Sequence, residues 1–211
     1  MILALQNVRK SYGHKTVLDG VTHAFGTGLT LLVGPSGAGK STLLRLLATA
    51  ERPDSGMMTW DGAPLPRARK ALRQTLGYAP QAVDLPDDLT AREFAIHIAA
   101  LKGLDLASAD DQFGAITDAI GLHPDIDNRI ATYSGGMRRR LVFAQAMLGT
   151  PRLLALDEPT AELDRDTAHR LGALIVEHAR TAVVVMTTHL ADELESSAVA
   201  VLRVQNGRVG L

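Results

Sequence analysis

The chain has 211 residues, with 22 basic against 23 acidic side chains and a net charge of −1, so no strongly basic nucleic-acid face is advertised. Apolar residues make up 46% and charged residues 21%, ordinary for one folded domain with a sizeable core. The absence of cysteine excludes disulfides, thiolate zinc sites, iron–sulfur clusters and cysteine nucleophiles. The lack of any long apolar run excludes a spanning helix, and the first residues lack the basic stretch of a signal peptide.

In chain order, residues 2–8, 16–18, 21–25 and 29–33 read as strands broken by Gly13, Gly20, Gly26 and Gly28. A helix follows over about 40–48, with leucines at 43, 44, 46 and 47. Residues 57–60 and 75–79 are short strands. From Thr90 to about Gly149 the pattern is mostly helical, and Thr90 with Glu93 forms a capping box. The wholly apolar runs 153–156 and 182–186 suit parallel strands buried on both faces. A helix over 165–179 lies between them, and 198–204 is a last strand. The expected fold is α/β: a mainly parallel core, an antiparallel β piece near the N-terminus, and an inserted helical subdomain. Residues 1–81 and 150–211 form the core in this reading, and 82–149 the insertion.

Gly34-Pro35-Ser36-Gly37-Ala38-Gly39-Lys40-Ser41-Thr42 fits G-x-x-x-x-G-K-[ST], after an apolar strand and at the start of a helix. Glycines let successive N–H groups converge on phosphate oxygens, and the helix N-terminus adds unpaired donors. Lys40 supplies charge for the β- and γ-phosphates, and Ser41 a hydroxyl for Mg²⁺. The accidental alternative, a glycine-rich turn, does not explain the strand–loop–helix context. The apolar strand 153–156 ends in Asp157 and Glu158. In open parallel sheets, ligands gather at such strand ends. Asp157 is placed to hold Mg²⁺, and Glu158 to polarise an attacking water.

Three further features narrow the class. Ser134-Gly135-Gly136 at a helix start is a second anion-binding site. His189 follows an apolar strand and can reach a terminal phosphate or its water. Gln81 follows a short strand, and its amide can reach a metal or its water. With Tyr12, the loop 34–42, Ala161-Glu162-Leu163-Asp164 and these residues in order, nearly the whole chain resembles the nucleotide-binding subunit of ATP-binding cassette (ABC) transporters. The softer stretches 89–103 and 134–141 look like the subfamily that drives drug, antibiotic and lantibiotic exporters through separate membrane subunits.

The resemblance implies an ATP hydrolase with Mg²⁺, in which Tyr12 stacks on adenine and Glu158, His189 and Lys40 serve hydrolysis. It implies two cassettes, identical or paralogous, paired head to tail, each ATP lying between one P-loop and the other chain's Ser134–Gly136. It also implies a cytoplasmic place on the inner face of the membrane, held by a permease that docks near 81–94. No regulatory domain of the kind some importers carry is expected after the last strand. Two features depart from the family pattern: Tyr133 and Met137 flank Ser-Gly-Gly where Leu and Gln are usual, and Ala161-Glu162 replaces Ser-Gly. Arg138–Arg140 reads first as a solvated helix face and second as basic side chains near nucleotide or membrane head groups, and Asp87-Asp88 and Asp110-Asp111 read as solvated caps and loops. Two other readings fit less: a soluble cassette acting on nucleic acid or ribosomes, which lacks a basic charge excess, and a small-molecule kinase, in which Ser134 and His189 have no place.

Overall fold

The first two strands show how alternation builds the sheet. In β1 (Ile2–Tyr12) Leu3, Leu5 and Val8 are buried, and in β2 (Lys15–Gly26) Leu18, Val21 and Phe25. They pair antiparallel from Ile2↔Gly26 to Tyr12↔Lys15 across a turn at Gly13. The computed structural model describes residues 1–82, 84–188 and 194–210. β2 is one strand, not the two expected. Gly20 does not break it but sits at a ladder irregularity with φ +72°, opposite Asn7 at φ +49°, where a bulge rather than a turn absorbs the glycine.

β3 (Gly28–Val33) leads into α1 (Lys40–Leu47). β4 (Ser55–Trp60) pairs with β1, and the two-residue β5 (Ala63–Pro64) closes a sheet of order β2-β1-β4-β5. A helix α2 (Leu65–Gln74) then precedes β6 (Leu76–Ala79). That helix was not expected from the sequence, because only Leu65 and Leu72 are buried in it. Three helices follow: α3 (Ala91–Lys102), α4 (Leu106–Ala119) and α5 (Gly135–Met147). The capping box of α3 is formed, with Thr90 Oγ1 accepting from Glu93 N–H and the Glu93 carboxylate accepting from Thr90 N–H at 2.8 Å. β7 (Leu153–Asp157), α6 (Arg165–Ala179), β8 (Val183–Thr187), β9 (Ala198–Gln205) and a short β10 (Arg208–Gly210), also unforeseen, complete the order.

The second sheet runs β10-β9-β3-β8-β7-β6, parallel except for β10. β7 and β8 are buried at every residue, as strands covered on both faces must be. On one face Leu153, Ala155, Val183 and Val185 pack with the leucines of α1 and with Leu3, Leu5 and Phe25 of the antiparallel sheet. On the other, Leu154, Leu156, Val184 and Met186 pack with α5, α6 and, through Phe113, α4. Helix α1, which carries the glycine loop at its start, is thus held between the two sheets.

Arginines and a lysine close several helix ends. Arg69 and Arg73 of α2 both donate to the Thr49 carbonyl beyond α1, at 2.7 and 2.9 Å, where cations are favoured. Lys102 Nζ donates to the Leu148 carbonyl after α5 at 2.7 Å. Burial pushes this ammonium down from its ordinary 10.5 to about 8. The folded state therefore holds Lys102 neutral between those values while the unfolded chain keeps the proton, so its contribution to stability grows as pH rises from about 8 to 10.5. Denaturant unfolding of the native chain and of Lys102→Met should show the native chain gaining on the variant across that window. Below pH 8 their difference should stay flat, and parallel curves throughout would contradict the burial argument.

Candidate nucleotide site

The loop 34–39 is shaped by close backbone approach. Gly34, at φ +145°, lies so near β9 that a Cβ would sit 2.2 Å from the Val204 carbonyl oxygen. Gly39, at φ +108°, caps α1 and faces the Val17 carbonyl of β2 at 3.0 Å from an ideal Cβ. Only glycine fits either place. No side chain caps α1 and no acid lies in its first turn, so its first N–H groups remain donors for an anion. Lys40 is buried and folds across the loop, with Nζ on the carbonyls of Gly34 at 2.7 Å and Pro35 at 3.1 Å.

These residues open on a cavity of about 340 Å³ lined by Tyr12, Lys15, Val17, Ser36, Gly37, Gly39, Lys40, Ser41, Thr42, Gln81 and Glu158. Residues distant in sequence are thereby brought to one place. Tyr12 is 43% exposed at this cavity. Its hydroxyl donates to Glu51 at 2.5 Å and accepts from Arg45 at 3.3 Å, so the ring is tethered at its rim. Lys15 and Val17 were not singled out from the sequence; the hairpin pairing Tyr12↔Lys15 is what carries that strand to the cavity.

Asp157 and Glu158 leave β7 in different ways. Asp157 is buried, and its Oδ1 accepts the Thr187 hydroxyl at 2.7 Å. Glu158 turns into the left-handed region at φ +52°, a conformation that costs an L-residue about 1–2 kcal/mol. Its N–H donates to Thr187 Oγ1 at 2.9 Å and to the Thr187 carbonyl at 3.3 Å. Gln81 Nε2 donates to Glu158 Oε2 at 3.2 Å. Burial, and then the Asp157 charge, push the Tyr78 phenol on neighbouring β6 up to about 12, so it stays protonated. The role of Thr187 was not legible in the sequence, where it reads only as a polar residue ending an apolar strand. His189, expected near the terminal phosphate, lies outside the described residues.

Ser134 caps α5, its Oγ accepting from Met137 N–H at 3.3 Å. Neither it nor Gly135 or Gly136 lines the cavity. Gly135 is exposed, and a Cβ there would meet nothing within 4 Å, so nothing among the described residues demands glycine. The departures beside it are core residues: Tyr133 is buried with its hydroxyl on the Asp125 carbonyl at 2.7 Å, and Met137 packs on the core. Asp164 caps α6 through Thr167.

Arg138–Arg140 is not the solvated face expected. Arg138 reaches Asp87 at 2.6 Å, Arg139 reaches the Glu158 carbonyl at 3.2 Å, and Arg140 the Gly121 carbonyl at 2.6 Å. Asp110 likewise receives Arg92, which also holds Asp127, so Arg92 ties α3 to α4 rather than standing free.

A glycine loop between strand and helix, opening on a cavity shared with a strand-end acid and a glutamine, defines a P-loop nucleotide-binding cassette. The ABC transporter family model matches residues 21–161. The chain is 35% identical over 211 residues to the Nod factor export ATP-binding protein I of Paraburkholderia xenovorans, covering 98% of this chain and 68% of that protein. The solved ATP-binding subunit of an ABC transporter superposes with TM-score 0.90 at 25% identity, over 100% of this chain and 89% of that one. A bacterial ABC transporter cassette solved as a dimer gives TM-score 0.89 at 23% identity, over 99% and 97%. The chain belongs to the ABC transporter family and is one of its ATP-binding, ATP-hydrolysing cassettes. Its fold is that of the family's α/β cassettes.

One buried hydroxyl serves both acids, which makes Thr187→Val a sharp probe. It keeps shape but leaves Asp157 Oδ1 without the hydroxyl it accepts from. The expected loss is about 1–3 kcal/mol of stability, together with slower ATP turnover, read by denaturant unfolding and phosphate release. Unchanged turnover would show that Glu158 does not rely on this anchor.

Proposed function

We propose that this cassette is the ATP-driven motor of an exporter whose substrate path lies in separate membrane-spanning permease subunits. The observation that carries this is the shared cavity, where Lys40, Ser41, Gln81 and Glu158 meet. In this reading Gly34, Pro35, Ser36, Gly37, Ala38, Gly39, Lys40, Ser41 and Thr42 cradle the phosphates, and Tyr12 offers its ring to adenine. Glu158 orients the water for in-line attack, and His189 steadies the terminal phosphate.

The donors suit Mg²⁺. Among the described residues there is no cluster of three or more acids and histidines able to hold a metal by themselves. Mg²⁺ beside a nucleotide is generally held by one or two protein ligands, with phosphate and water completing its shell. Ser41 and Asp157 would hold it, with Gln81 beside them, and it would offset phosphate charge when bound.

Export is the direction that the Paraburkholderia relative's name gives. Residues 1–81 and 150–211 act as the nucleotide-holding core in this reading, and 82–149 as the inserted arm that carries Ser134–Gly136. A second cassette, identical or paralogous, pairs head to tail. The open space at Gly135 supports this, because a residue with no internal reason to be glycine suits close approach by another chain's phosphates. No nucleic-acid partner is part of this reading. Among the described residues no helix is long and apolar enough to cross a membrane. The segment 81–94 is the proposed contact, on the inner face of the membrane.

Glu158→Gln should bind ATP as tightly as the native chain while turnover falls ~10²–10⁴-fold. Near-normal hydrolysis in a phosphate-release assay would overturn the assignment. Lys40→Ala should instead weaken ATP binding itself, because a charge facing the phosphates is lost; unchanged affinity by calorimetry would count against the loop reading.

A further inference from the structure

Three successive arginines on one helix reach three separate segments, and the middle one touches the peptide that carries the candidate base. Arg139 Nη1 donates to the Glu158 carbonyl at 3.2 Å, and Nη2 donates to Glu162 Oε2 at 3.2 Å. Its side chain is 18% exposed, against 76% for Glu162. The Glu158 carbonyl also accepts from Ala161 N–H at 3.2 Å, and the Glu158 N–H is held by Thr187. The left-handed Glu158 peptide is therefore clamped from β8 on one side and from α5 on the other. A residue in that conformation persists only where its surroundings over-determine it.

The planar fork of arginine holds a carbonyl and a carboxylate together in a fixed geometry, whereas a lysine ammonium presents its donors from a flexible stem and fixes their mutual orientation less. We propose that Arg139 is a positioning residue for Glu158, fixing the peptide from which its carboxylate reaches the cavity. Arg139 lies on the helix that Ser134 caps, so the clamp also links the start of α5 to the strand-end acid of the same chain. The inference rests on the reading of Glu158 as the group that orients water.

The test uses the purified full chain with MgATP. Arg139→Met removes both donors and keeps length and apolar packing. Its kcat should fall ~10-fold with KM and ATP affinity within about two-fold, because the loss lies in orientation and not in binding. In single-turnover assays on a Glu158→Gln background, the same change should cost nothing more, since the two residues act as a unit. Arg139→Lys should fall between, and Arg138→Met, which breaks only the Asp87 contact, should leave turnover within about two-fold. Unchanged kcat, a loss confined to KM, or independent losses in the double variant would overturn the proposal. If Arg139→Met does not fold, Arg139→Lys decides: an intermediate kcat at native KM and Tm supports the proposal, and a native kcat overturns it. If Glu158→Gln itself retains turnover, the reading of Glu158 falls; if it is inactive while Arg139→Met is fully active, only the present inference falls.

Discussion

The geometry of the acids hangs on one hydroxyl. Thr187 is fully buried at the end of β8, yet its Oγ1 donates to Asp157 and accepts from the Glu158 amide. That double use is possible only because β7 and β8 pair in the register Asp157↔Thr187. A slip by one residue would set Met186 beside Asp157 and turn every side chain of a doubly buried strand to the opposite face. The apolar packing of Leu154, Leu156, Val184 and Met186 with α5 and α6, and of Leu153, Ala155, Val183 and Val185 with α1, therefore sets the register. The register in turn sets the chemistry.

The fold was legible where the signal is local. The strand, glycine loop and leucine-rich helix over 28–48 carry their own pattern, as do the doubly apolar strands and the Thr90–Glu93 cap. The missed helix α2 offers only two buried leucines among charged neighbours and opens with Pro66, so its period is faint. Gly20 reads as a strand break because a bulge and a turn look alike without the partner strand.

At the site, the residues that touch the cavity by way of motifs were readable: Tyr12, Lys40, Ser41, Gln81 and Glu158 all line it. The residues that hold those in place were not. Thr187 and Arg139 act through hydrogen bonds to segments 29 and 19 residues away, and no spacing rule records such contacts. The arginine run shows why. Neighbouring helical positions point in different directions, so three like side chains reached Asp87, Glu158 and Gly121. A charge run viewed only as composition reads as one solvated face.

The strand order has a consequence for biogenesis. β3, which carries the glycine loop, is flanked in the sheet by β8 and β9. Both neighbours are encoded more than a hundred residues later. During synthesis the apolar strand Gly28–Val33 must wait without either partner while the antiparallel hairpin and the helices emerge. The nucleotide loop cannot take its final shape on a short nascent chain, because Gly34 packs against Val204. An apolar strand left unpaired for that long is an aggregation hazard. Cover for that strand during synthesis can come only from earlier segments or from another protein, and the Gly34–Val204 approach that shapes the loop forms only after β9 is made.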